Sequence, residues 1–127
     1  MINPLRGMKD LTFDESNRFV HIVTTATNVA KKYGYNYIET PILEETSLFK
    51  RSVGESSDIV GKEMYQFMDK GENDVCLRPE GTAGVVRAFI QKKLDKAGGT
   101  HRYFYHGSMF RYERPQKGRI RQFHQFG

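Results

Sequence analysis

Cysteine is nearly absent from this sequence and tryptophan is absent altogether. The one thiol, Cys76, has no partner for an internal disulfide, and its place between Val75 and Leu77, in what reads as a buried strand, makes it a small core residue. No apolar run approaches the ~20 residues that a membrane-spanning helix needs. The opening Met1-Ile2-Asn3-Pro4-Leu5-Arg6-Gly7 lacks the apolar stretch of a secretory signal. A cytoplasmic address without a membrane partner is the expectation. There is no internal repeat and no low-complexity segment. His101, His106 and His124, taken with Glu113, match no zinc-ligand spacing, so no metal site is expected. His21 falls off the apolar stripe of its predicted helix and reads as exposed.

What is present is an ordinary globular composition. The 127 residues suit one domain or part of one, and 38% hydrophobic with 28% charged residues is enough to form a core. The net charge of +5 is unevenly placed: from Arg102 to Arg121 there are six basic residues and a single acid, Glu113. Such an excess suits a phosphate-bearing partner, or else a solvated basic strand pair.

A capping-box spacing at Thr12-Phe13-Asp14-Glu15 predicts a helix start. Phe19, Ile22, Val23, Ala26, Val29, Ala30 and Tyr33 then form one stripe on a helix that Gly34 ends. Residues 35–39 read as a short strand stopped by Pro41, residues 42–45 are ambiguous, and 46–51 suit a short helical turn. The glycine-punctuated stretch 52–62 reads as an exposed loop. Residues 64–67 and 74–77 read as a hairpin, followed by a helix starting after Pro79 with Val86, Phe89, Ile90 and Leu94 on its apolar face and Gly98-Gly99 at its end. Strands are predicted over 102–105, 108–112 and 121–126, with Pro115 and Gly118 marking a loop between the last two. Hairpins dominate, which predicts an α+β fold: an antiparallel sheet flanked by helices. The chain stops at Gly127 inside the last strand pattern, so a longer reading frame is expected to continue past it.

The richest stretch runs from Met109 to Gln125. Alternation along strands puts Arg111 with Glu113, and Arg121 with Phe123 and Gln125, on shared faces. An arginine, a carboxylate, an aromatic ring and an amide brought together suit the parts of a nucleotide: guanidinium for phosphate, carboxylate for an exocyclic amine, ring for a base face. The core Phe110-Arg111-Tyr112-Glu113 resembles motif 2 of class II aminoacyl-tRNA synthetases. Its extension Glu113-Arg114-Pro115-Gln116-Lys117-Gly118-Arg119, with the closing Phe123-His124-Gln125, resembles the form found in histidine-tRNA ligases. Leu77-Arg78-Pro79-Glu80-Gly81-Thr82 is similar to the amino-acid-binding signature of the same family. Read without that likeness, Glu80 and Thr82 either accept hydrogen bonds from a substrate ammonium or cap the following helix. Arg6-Gly7-Met8-Lys9-Asp10 resembles the family's opening segment, and Pro41 with the helix and strand before it resembles motif 1, the dimer-forming element. The likeness covers essentially the whole chain.

The resemblance implies that residues 1–127 are the amino-terminal part of a class II catalytic domain, with motif 1 at about 14–67, the amino-acid signature at 77–82 and motif 2 at about 108–127. Motif 3 and the anticodon-binding domain would be absent. It implies a ligase that activates L-histidine with ATP, magnesium arriving on the nucleotide, and transfers it to histidine tRNA as a homodimer. Arg111 would bind the α-phosphate and the histidine carboxylate and would be the catalytic group. Glu113 would read adenine, Phe123 would stack on it, and Arg119 would reach the γ-phosphate. Glu80, Gly81, Thr82 and Gln125 would hold the histidine, and Arg114, Gln116 and Lys117 would face the tRNA acceptor end. The piece alone is expected to have little or no charging activity. The rival reading is a synthetase-like regulatory subunit of histidine biosynthesis. Such proteins lose parts of the motif 2 hairpin, whereas Arg111, Glu113, Arg119, Phe123 and Gln125 are all present here.

Overall fold

The computed structural model describes residues 1–54, 57, 59–114 and 116–127. The chain runs through α1 (Phe13–Lys32), β1 (Asn36–Tyr37), β2 (Leu43–Glu45), α2 (Thr46–Val53), a π-helical turn (Ile59–Glu63), β3 (Tyr65–Met68), β4 (Asp74–Leu77), α3 (Thr82–Gln91), a 3-10 turn (Leu94–Lys96), β5 (Tyr103–Phe104), β6 (His106–Phe110) and β7 (Gln122–Phe126). The fold is α+β. Its strands form three small sheets: antiparallel β2-β4-β3, antiparallel β6-β7, and the parallel pair β1-β5. Hairpin reasoning missed the parallel pair because its two strands lie far apart in sequence and carry only two residues each.

The β3-β4 hairpin has a local cause. The Asp69 carboxylate accepts the amides of Gly71 (2.9 Å) and Asn73 (2.8 Å), closing the turn. The Asn73 backbone bond, the largest influence, holds the Asp69 carboxyl below its ordinary range. Against this sheet sits the core of Phe49, Val60, Cys76 and Ala83, with Leu48 and Met64 packed beside it. Cys76 has no exposed surface, and burial pushes its thiol up to about 11, so it stays protonated.

Three predicted features differ in the structure. Thr12 makes no side-chain cap, and the Glu15 carboxylate, which a capping box would fold back onto the helix start, is paired with Lys9. That bond is also the main reason the Glu15 carboxyl lies below its ordinary value. The stripe of α1 is narrower than its periodicity suggests: Phe19, Val23, Ala26 and Ala30 are half-buried, whereas Ile22, Val29 and Tyr33 are exposed. The predicted loop over 52–62 instead begins inside α2 and ends inside the π-helical turn, with Glu55, Ser56 and Asp58 outside the described residues.

Arg78 joins the sheets. It is only 8% exposed, and its Nε donates to the Ser108 carbonyl (2.9 Å) while Nη1 donates to the Thr40 carbonyl (3.0 Å). Its own backbone bonds Ile42 through N–H and Phe110 through C=O. Residues before β2, at the end of β4 and within β6 thus meet on one side chain. The guanidinium fits because residue 107 is glycine: a β-carbon there would strike Nη2. On the neighbouring strand pair, His106 Nδ1 and His124 Nε2 are 3.1 Å apart, and the rings of Phe19 in α1 and His124 meet at right angles with their centres 4.7 Å apart. Burial, then the nearby His106 and Arg78, lower the pKa of His124.

Gly107→Ala is expected to destabilise the protein by about 1–3 kcal/mol through overpacking against Arg78, measured by urea unfolding. A histidine whose pKa is lower folded than unfolded takes up its proton more readily in the unfolded chain. Its stabilising contribution is therefore complete above about pH 6.5 and is lost as pH falls through that value towards the lowered one. The melting temperature should fall between about pH 7.5 and 5.5, and His124→Phe should flatten that slope; an unchanged slope in the variant would assign the effect elsewhere.

Candidate functional site

β4 delivers the chain to Arg78-Pro79-Glu80-Gly81, and α3 begins at Thr82. The Glu80 carboxylate turns onto the start of that helix, accepting the Thr82 amide at 2.7 Å through one oxygen and the Ala83 amide at 2.8 Å through the other. The capping role weighed for Glu80 is therefore realised. It does not exhaust the group, since each carboxylate oxygen has a second lone pair. Thr82 does not cap. Its hydroxyl lies 3.3 Å from the Tyr105 hydroxyl.

Arg111 is anchored from below by Nε, which donates to the Pro79 carbonyl at 2.9 Å. Its guanidinium carbon lies 5.3 Å from the centre of the Phe123 ring, a cation-π distance, and Nη1 is 4.0 Å from the Glu113 carboxylate. Arg111 and Glu113 are side by side as alternation suggests, but not on a continuous strand. β6 ends at Phe110 because the Tyr112 amide is drawn to the Glu63 carbonyl (2.6 Å) and the Glu113 amide folds back to the Arg111 carbonyl (2.8 Å). Beside them, Arg121 stacks on Tyr112 at 3.8 Å and donates Nε to the Glu113 carbonyl.

β7 contributes Gln125, whose Oε1 accepts the Gly81 amide at 2.9 Å and faces the Tyr105 hydroxyl at 3.4 Å. A cleft of about 1440 Å³ is lined by Glu80, Thr82, Arg111 and Gln125 among these groups. Leu43, Leu48, Val86 and Ile90 give the lining its apolar part, and the bidentate Glu44–Arg87 pair (2.7 and 2.9 Å) also lines it. This placement corrects the predicted apolar face of α3. The helix buries its small residues, Ala83, Gly84 and Ala88, so that it lies close to the layer beneath, and it turns Val86 and Ile90 to the cleft, where they are 50% and 61% exposed.

The structure therefore brings Glu80, Gly81, Thr82, Arg111 and Gln125 together, with Glu113 and Phe123 touching Arg111. It does not bring Arg119 to them. Gln116 and Arg119 pair across a tight Lys117-Gly118 turn, and Arg114, Gln116, Lys117 and Arg119 all lie exposed on that hairpin; Pro115 lies outside the described residues. Among the described residues no three His, Cys, Asp or Glu side chains are grouped to hold a metal, and no helix is long and apolar enough to cross a membrane. Two residues went unremarked in the sequence: Arg78, inside a motif whose neighbours drew the attention, and Tyr105, which reads as one more strand aromatic.

The family model described as histidyl-tRNA synthetase matches residues 7–127. A histidine–tRNA ligase of Sulfurimonas denitrificans is 76% identical over the whole chain, and one of Campylobacter jejuni is 68% identical. The chain spans 32% and 31% of the length of these two relatives. Among solved structures, the apo histidyl-tRNA synthetase of S. aureus superposes with a TM-score of 0.81 at 37% identity over 99% of this chain and 28% of that one. A Bacillus halodurans protein described as an ATP phosphoribosyltransferase regulatory subunit/histidyl-tRNA synthetase superposes with a TM-score of 0.79 at 26% identity, over 99% of this chain and 31% of that one.

If Glu80 caps α3, Glu80→Ala should lower stability by about 0.5–2 kcal/mol with no ligand present. Thermal melts of the unliganded protein check this, and an unchanged midpoint would remove the cap from the account.

Proposed function

Because the chain belongs to the histidyl-tRNA synthetase family, we propose that the longer protein of which it forms a part is a cytoplasmic, homodimeric ligase that joins L-histidine to histidine tRNA through an adenylate made from ATP. The observation that carries this reading is the wall in which three separated segments place Glu80 and Thr82, Arg111, and Gln125 around one cleft. In this reading Glu80, Gly81, Thr82 and Gln125 surround the α-amino group of histidine, and Arg111 binds its carboxylate and the α-phosphate.

The reaction is in-line attack of the histidine carboxylate on the α-phosphorus, with pyrophosphate leaving; a tRNA hydroxyl then displaces AMP from the acyl carbon. Both first reactants are anionic, so their approach needs fixed positive charge more than it needs a protein nucleophile. Arg111 suits that work. Its Nε bond to Pro79 and its seat over Phe123 hold the guanidinium in place, which leaves its terminal nitrogens for oxygens of the two reactants. Glu113 accepts from the adenine amine while Phe123 stacks on the ring. Magnesium would be carried on the nucleotide's phosphates and would supply further positive charge there.

Arg119, on the exposed turn, is the group for the γ-phosphate, and Arg114, Gln116 and Lys117 face the acceptor end of the tRNA. The regulatory-subunit reading shares this fold, as the Bacillus halodurans likeness illustrates. The side chains favour the enzyme, because the complete set from Arg111 to Gln125 is kept.

The test is histidine-dependent exchange of pyrophosphate into ATP by the full-length protein. Wild type should catalyse it, and Arg111→Ala should lower kcat by about a hundredfold or more while leaving the fold intact by circular dichroism. Absence of exchange in the wild type would favour the regulatory reading.

A further inference from the structure

We propose that Tyr105 is a positioning residue of the amino-acid subsite, whose hydroxyl fixes Thr82 as a hydrogen-bond acceptor and so makes the subsite selective for a protonated α-amino group. This deepens the reading of the cleft given above and rests on it.

The argument is one of proton placement. Tyr105 Oη lies 3.4 Å from Gln125 Oε1 and 3.3 Å from Thr82 Oγ. An amide oxygen can only accept, so the single phenolic proton lies on the contact to Gln125. The Thr82–Tyr105 contact must then be made by the threonine proton, with the phenol oxygen accepting. The chain of bonds runs from Thr82 hydroxyl to Tyr105 hydroxyl to Gln125 amide, and the Gly81 amide meets the far end at 2.9 Å. With its proton turned towards Tyr105, the Thr82 oxygen keeps both lone pairs for the cleft.

An ammonium group has three donors and no acceptor, so it suits that oxygen beside the Glu80 carboxylate. Gln125 already receives two donors, and its main part is to hold the relay in register. A hydroxyl free to rotate would serve a neutral or donor-poor analogue as well as an ammonium; this one does not. The tyrosine ring is itself held. It occupies the space where side chains at Gly81 and Gly127 would stand, and the Tyr105 backbone makes two hydrogen bonds to Gly127, at 2.8 and 2.9 Å.

Tyr105→Phe removes the hydroxyl and keeps the ring. In the full-length protein it is expected to raise the KM for histidine by about tenfold, the worth of one neutral hydrogen bond. The KM for ATP, kcat and the melting temperature should stay near those of wild type. The preference for histidine over its des-amino analogue, imidazole propionate, as competing ligand should shrink by a similar factor. In a Thr82→Ala background Tyr105→Phe should add nothing to the KM for histidine, because the partner it orients is gone. A role in packing alone would move the ATP KM and the melting temperature too, and would persist without Thr82. Unchanged KM for histidine in Tyr105→Phe, or its full effect in the Thr82→Ala background, would overturn the proposal and leave the enzyme reading standing. Lack of exchange by the wild type would overturn both.

Discussion

A buried guanidinium holds this fold in its working shape. Arg78 satisfies the carbonyls of Thr40 and Ser108 while its own backbone is tied to Ile42 and Phe110. None of the three sheets is large enough to be stable alone, and the two-residue strands β1 and β5 least of all. A charged side chain among them is costly to desolvate, and that cost is offset only when its donors are met. The arrangement is accordingly all-or-nothing: the strands must be in register for the carbonyls to converge, and the convergence fixes the register. The residues that follow Arg78 inherit that precision. Pro79 offers its carbonyl to Arg111, Glu80 grips the start of α3, and Gly81 reaches Gln125.

Much of this was legible beforehand. Turn chemistry at Asp69 marked the hairpin, periodicity marked α1, and the run from Met109 to Gln125 carried its chemistry in its residue types. What escaped had a common physical cause, dependence on partners distant in sequence. The parallel pairing of β1 with β5 has no local signal. The carboxylate half of the capping box is lost to Lys9, which lies outside the motif. The stripe of α3 misled because small residues, not large ones, made its inner face. In the site, the wall around the cleft follows the motif, whereas Arg119 stays on the exposed turn, where no strand pattern could have placed it. Tyr105 was hidden by its ordinariness, since an aromatic on a strand is most often core.

The cleft mixes polar and apolar lining for a reason that electrostatics makes plain. Polar groups that must select and orient a charged small molecule are most effective where water is scarce. Leu43, Leu48, Val86 and Ile90 supply the apolar part of the lining, and the Glu44–Arg87 pair also lines the cleft with its charges mutually neutralised, so it adds little net field. Arg111 and Glu80 add a positive and a negative group to the same lining, the two signs that a zwitterionic amino acid presents in reverse.

The order of the chain also sets a timetable. The β3-β4 and β6-β7 hairpins join neighbours and can close on the microsecond scale, about 1–10 μs for an isolated hairpin. The β1-β5 pair must wait for α2, the β3-β4 hairpin and α3 to be brought across first, and loops of that length are slow to close. The site's own contacts, Arg111 to Pro79 and Gln125 to Gly81, span 32 and 44 residues of chain, so its assembly depends on closures slower than either hairpin.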